Sequence, residues 1–145
     1  MPNVTPVKIN GFVEHKNKGV HNFGTHQLKV ILSNVVPDTD GVNASTAAAV
    51  AATVTEIDYT YCSSRNVTTT SATQTGGVFS LVLEDLTLSA TGGDVGPFRY
   101  VYLVNDTPTS PADPLISVSD YGSSITILDG ASLDIVFDTT CFTDV

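Results

Sequence analysis

The sequence predicts an all-β protein: a β-sandwich or jelly roll of about eight short antiparallel strands, with an extended N-terminal arm and at most one short helix. Three observations predict it. The chain has 20 Thr and 13 Ser among 145 residues, and only 14% of residues are charged. β-Branched side chains suit a pleated surface. Short runs of alternating apolar and polar residues recur at a spacing of about 8–12 positions, the rhythm of a sandwich or barrel. Clusters of Gly, Pro, Asn and Asp separate those runs, as turns require. No internal repeat of about 20–50 residues occurs. A chain of this length hides roughly two-thirds of its unfolded surface, enough for one real core.

Residues 1–25 show no sustained period and are rich in Asn, Lys and Gly. They read as an arm or a set of loops, with at most one short strand around 7–13. The body is then 26–145. Its first strand is 26–33, where Leu28, Val30 and Leu32 share one face. Residues 37–41 carry turn chemistry. The Ala-rich stretch 44–54 is the one helix-like segment, short enough to be marginal alone, and reads as one short helix or a loop that packs through small side chains. Strands are expected at 58–63, with Tyr59 and Tyr61 on one face, and at the Thr-rich 65–73, which suits an edge. Gly76-Gly77 is a turn before a strand at 78–83, and 86–90 alternates Leu with Thr and Ser. Residues 98–104 are apolar on both faces, which marks a central strand covered on both sides. A loop with three prolines follows. Strands at 114–119, 124–128 and 133–137 complete the set, with Asp129-Gly130 as a tight turn.

Charge is unevenly placed. Residues 1–29 hold Lys8, Lys16, Lys18 and Lys29 against Glu14, a net +3, together with His15, His21 and His26. Residues 30–145 hold Arg65 and Arg99 against fourteen acids, a net −12. So acidic a body repels phosphates, which argues against direct nucleic-acid binding. The basic beginning either docks on an acidic protein surface or is a chance run of solvated lysines. No apolar run approaches the ~18 residues that span a bilayer, so no membrane partner is expected. Met-Pro-Asn-Val-Thr at the start lacks the regions of a secretion signal.

Catalytic patterns are missing from the sequence. The histidines, spaced six and five apart, fit no zinc pattern. Asp38-Thr39-Asp40-Gly41 resembles the start of a calcium loop but lacks its regular donors and closing Glu, so a turn is expected. Glu84, Asp85, Asp134 and Asp138 read as turn and strand-edge acids, which also discourage unwanted strand pairing. Cys62 and Cys141, 79 positions apart, read as reduced thiols before a disulfide, and the Asn-x-Ser/Thr triplets at Asn3, Asn43 and Asn66 as Thr-rich sequence before glycan sites. The tyrosines, Tyr121 among them, read as core-face or sheet-surface residues before a sugar platform. No catalytic residue, metal or cofactor is expected.

The most distinctive segments are 96–100 (Gly-Pro-Phe-Arg-Tyr) and 120–124 (Asp-Tyr-Gly-Ser-Ser). With 24–34, 55–57, 90–107, 114–116 and 125–130, they resemble a family of small structural proteins found near the capsid genes of tailed bacteriophages. The resemblance runs over roughly 12–138; the Ala-rich stretch 44–52 and both cysteines depart from it. It implies a virion structural protein, some members being similar to capsid decoration (cement) proteins. On that reading the chain is made in the host bacterial cytoplasm and sits on the capsid exterior. Its partners are the major capsid protein and further copies of itself, as trimer or dimer. Lys8, Lys16 and Lys18 would steer the arm and Phe12, Val13, Val20 and Phe23 would anchor it. Arg99 needs a carboxylate, in its own fold or across a contact, and Tyr121 suits a turn or an interface. The alternative is a tail or head-fibre component that binds a host-surface glycan.

Overall fold

A computed structural model describes residues 7–36, 50–137 and 142–144, and the backbone is mostly antiparallel β-strand with one short α-helix. In chain order the elements are β1 (Val7–Lys8), α1 (Asn10–Asn17), β2 (Leu28–Ser33), a 3-10 turn (Ala51–Thr53), β3 (Asn66–Val67), β4 (Thr69–Thr75), β5 (Val78–Leu83), β6 (Leu86–Ser89), β7 (Val95–Asn105), β8 (Leu115–Ile127), β9 (Ser132–Ile135) and β10 (Phe142–Asp144). They form a five-stranded sheet in the order β1-β8-β7-β2-β3, a three-stranded sheet β10-β5-β4 and the pair β6-β9. The all-β, sandwich-like class expected from alternation and turn spacing is the one observed. No helix among the described residues is long and apolar enough to cross a membrane.

The doubly apolar run becomes β7, flanked by β8 on one side and β2 on the other. Phe98 and every residue from Tyr100 to Asn105 are buried, so both faces are covered. Two expected strands, 114–119 and 124–128, are one continuous strand, the 13-residue β8. Polar Asp120 to Ser124 looked like a break because sequence alternation reports burial. An exposed stretch of a long strand keeps its ladder without keeping its apolar residues. Conversely, 58–63 forms no strand: Tyr59 and Tyr61 alternate, but the segment makes only an isolated bridge, Cys62 to Ala90. The expected helix over 44–54 lies outside the described residues up to 49, and 51–53 makes a 3-10 turn. The turn at 37–41 and Cys141 also lie outside them.

Residues 7–25 correct the expectation of an extended arm. β1 pairs with β8, Val7 opposite Val118. Ile9 then donates its N–H to the Ile116 carbonyl at 3.0 Å. The chain turns into α1 rather than the expected strand over 7–13. Ile9, Phe12 and His15 are three residues apart and all buried, so they share one helix face against the body. Phe23 is buried as well. Burying one such apolar side chain contributes roughly 1.5–3 kcal/mol, and an extended arm would leave three of them in water. Polar neighbours such as Glu14, Lys16 and Asn17 hid this short stripe.

Candidate functional site

The segments 96–100 and 120–124 become neighbours on β7 and β8. Tyr100 pairs with Asp120 and Phe98 with Ile125, with register shifts on either side of Phe98. Gly96 sets the first irregularity. Its φ is +122°, and a Cβ there would stand 2.7 Å from the Ile125 carbonyl oxygen. Only glycine accepts both conditions. Across the two strands, Arg99 grips Asp120 with two bonds, Nε to Oδ1 at 2.7 Å and a terminal nitrogen to Oδ2 at 3.1 Å. Asp120 Oδ1 also accepts the Gly122 N–H at 2.8 Å. The Arg99 bond, then that N–H, hold the Asp120 carboxyl below its usual range, and Asp120 holds Arg99 above its own. Both side chains are well exposed, so the pair positions strands more than it stabilises them. Of the two roles open to Arg99, the fold takes the internal ion pair.

β2 and β8 both run antiparallel to β7, so both finish toward the end of the sheet where β7 starts: Ile127 of β8 lies opposite Val95, and Ser33 of β2 lies opposite Tyr100, five residues further along β7. Ser124 Oγ donates to Asn34 Oδ1 at 2.8 Å and ties that end together. Val35 and Val36 leave β2 there, Leu128 leaves β8 there, and Tyr61 packs on Gly92 and Gly93 just before β7. These four are among the few large hydrophobics in water: Val36 is 70% exposed, Leu128 61%, Val35 52% and Tyr61 44%. Asp94 and Asp129 frame the same end. Asp129 N–H donates to Asp94 Oδ1 at 2.8 Å, and Gly92 N–H to Asp129 Oδ1 at 3.0 Å. Exposed apolar side chains beside the acids Asp94 and Asp129 thus collect toward this end of the sheet, and exposed apolar groups are a common mark of contact with other proteins.

The residues expected to bind a partner divide by exposure. Phe12 and Phe23 are core residues, and their rings pack with His21 and with Phe79. They are corrected as anchors. Val13 is 41% exposed and Lys8 is exposed, so both face outward. Lys18 is exposed and paired with Glu14. Val20 and Lys16 are half-buried. Lys16 lines an open depression of about 640 Å3 with His21, Phe23 and Phe79. Tyr121 is half-buried, and burial raises its hydroxyl pKa.

Two polar clusters escaped the sequence reading. Asn105 is fully buried, and its Nδ2 lies 3.0 Å from His21 Nδ1 and 2.9 Å from His26 Nδ1. An amide nitrogen only donates, so the Nδ1 atom of each ring is the acceptor. The Thr107 N–H donated to Asn105 Oδ1 fixes the amide orientation. Desolvation first, then His15 and His26, push the His21 pKa down to about 4. The second cluster is Tyr59, Arg65 and Glu56. The Arg65 guanidinium sits 3.7 Å above the Tyr59 ring and donates to the Val30 carbonyl at 2.9 Å. Tyr59 donates to Glu56 at 2.8 Å and accepts the Leu32 N–H. Cys62 lies beside it with a free thiol whose pKa is raised by burial, against the opposing charge of Arg65. The only prior signal was two arginines among fourteen acids, and that does not choose partners. No group of His, Cys, Asp and Glu among the described residues could hold a metal ion.

Comparison with protein-family models, with curated proteins and with solved structures finds no match to this chain.

Proposed function

We propose that the protein is a non-catalytic structural component of a tailed-phage virion, most simply a capsid decoration (cement) protein that binds between major capsid subunits. The observation that carries the reading is the meeting of the two most distinctive segments. They lie side by side on β7 and β8, are joined by Arg99 and Asp120, and adjoin an exposed apolar end formed by Val35, Val36, Tyr61 and Leu128. Docking through that end replaces the free-arm mechanism, because Phe12 and Phe23 are committed to the core. Lys8 and Val13 remain outward and supply a secondary contact. The mechanism is mass action: a protein that binds only the assembled, expanded shell stabilises that shell.

Cosedimentation with expanded and unexpanded shells tests it. Binding to expanded shells alone, with a higher shell disruption temperature, is the expected result. Val36→Glu and Leu128→Glu should each weaken binding, since each buries a charge in the contact. Binding to neither shell, or to both equally, would overturn the reading. Attachment of the isolated protein to host cells would favour the alternative of a fibre component recognising a surface glycan.

A further inference from the structure

Among the described residues, β4 is the outer strand of the β10-β5-β4 sheet. The turn to β5 runs through Gly76 and Gly77, both at positive φ, 60° and 83°. A two-residue turn of this type makes Thr75 and Val78 a hydrogen-bonded pair, and alternation makes Thr73 and Ser80 the next. The N–H and C=O groups of Ala72 and Gln74 therefore point away from β5, toward the open edge. Thr73, Gln74 and Thr75 are exposed there, and no other described backbone bond occupies that edge.

Edge strands are usually blunted by lysine, proline or an inward charge, because an open ladder invites another strand. β4 reads Thr-Thr-Ser-Ala-Thr-Gln-Thr and carries none of these. From Asn66 to Leu83 the chain has no Asp, Glu, Lys or Arg, in a protein of net charge −9. Two copies repel one another wherever their acids meet. The β4–β5 hairpin is a surface on which they approach without that repulsion.

We propose that β4 pairs antiparallel with β4 of a second copy, about a two-fold axis through Thr73, joining two sheets into one. Ala72 then exchanges backbone bonds with Gln74 of the second copy, and the two Thr73 side chains stand opposite each other. One strand edge buries less than the ~800 Å2 per partner of a standard interface, so the contact is weak in dilute solution. It strengthens where copies are held close together, as on a shell. This deepens the structural-protein reading by naming a self-contact, and it fails separately, because its test uses no shell.

The test is sedimentation velocity on the full chain, from about 10 µM to about 1 mM. The expected result is a reversible dimer that tightens as salt rises from about 0.02 M to about 0.5 M, as screening requires. Thr73→Glu and Thr73→Lys each set like charges opposite themselves, and each should weaken the dimer at least about tenfold. An equal mixture of the two should recover it as a heterodimer. Ser123→Glu, an exposed change on β8, should leave it intact. A chain that stays monomeric throughout overturns the proposal. So do Thr73 variants that dimerise like the parent, or a mixture no tighter than either variant alone.

Discussion

Asn105 is one buried side chain that organises two distant parts of the chain. Its amide hydrogens go to His21 and His26, from the N-terminal segment, while it stands at the end of β7. Protonating His21 Nδ1 would set a donor against that amide, beyond the desolvation that already lowers the His21 pKa to about 4. The unfolded chain binds that proton near pH 6.5 and the folded chain does not. Stability is therefore complete above about pH 6.5 and falls as pH drops toward 4. After discounting for the partial exposure of His21, the loss is on the order of 2 kcal/mol. Urea midpoints between pH 7 and pH 4 should fall accordingly in the parent protein, and less steeply in His21→Phe, which keeps the ring stack on Phe23. Equal slopes in the two proteins would show that His21 is not the group responsible.

Strands β7 and β8 form the element on which the rest is built. Their pairing combines a backbone that tolerates no side chain at Gly96 with an ion pair that is mostly in water. The two features should respond oppositely to mutation. Gly96→Ala forces a Cβ onto the Ile125 carbonyl at a φ unsuited to alanine, and should destabilise by about 2 kcal/mol or more. Arg99→Ala removes an exposed pair and should change stability by less than about 1 kcal/mol. Thermal melts of the two variants decide the matter; a larger loss for Arg99→Ala would mean that the ion pair, not the glycine, holds the strands in register.

At the scale of the whole molecule, the cationic beginning and the anionic body are one folding unit. Ile9, Phe12 and Phe23 close the core, and β1 extends the main sheet. A chain beginning at His26 should accordingly melt without cooperativity or aggregate, because it exposes the surface those residues cover. An arm that merely hangs from the body would leave the melting temperature of the shortened chain unchanged. Differential scanning calorimetry of the two chains distinguishes these outcomes. The charge asymmetry then places Lys8 and Lys18 on the outside of a packed segment, where they bias approach to acidic surfaces without being free to reach far from the domain.

The sequence by itself determined the all-β class, the strands at 26–33, 78–83 and 86–90, and the doubly covered strand after Gly96-Pro97. Those features rest on local alternation and turn chemistry, which act over a few residues. It did not reveal that 120–124 continues a single long strand, since an exposed strand loses the alternation that announces it. It did not reveal the burial of Phe12 and Phe23, because Ile9 and Phe12 are outnumbered by polar neighbours and Phe23 stands in no periodic run. The exposed end was half legible: Val35, Val36 and Leu128 are apolar residues just beyond strands, where polar residues are usual, yet nothing local says that they leave their strands toward the same end of the sheet. That, and the choice of Asp120 from fourteen acids as the partner of Arg99, belonged to the tertiary structure. Both depend on strand register, which is settled only when residues far apart in the chain compete to bury the same core.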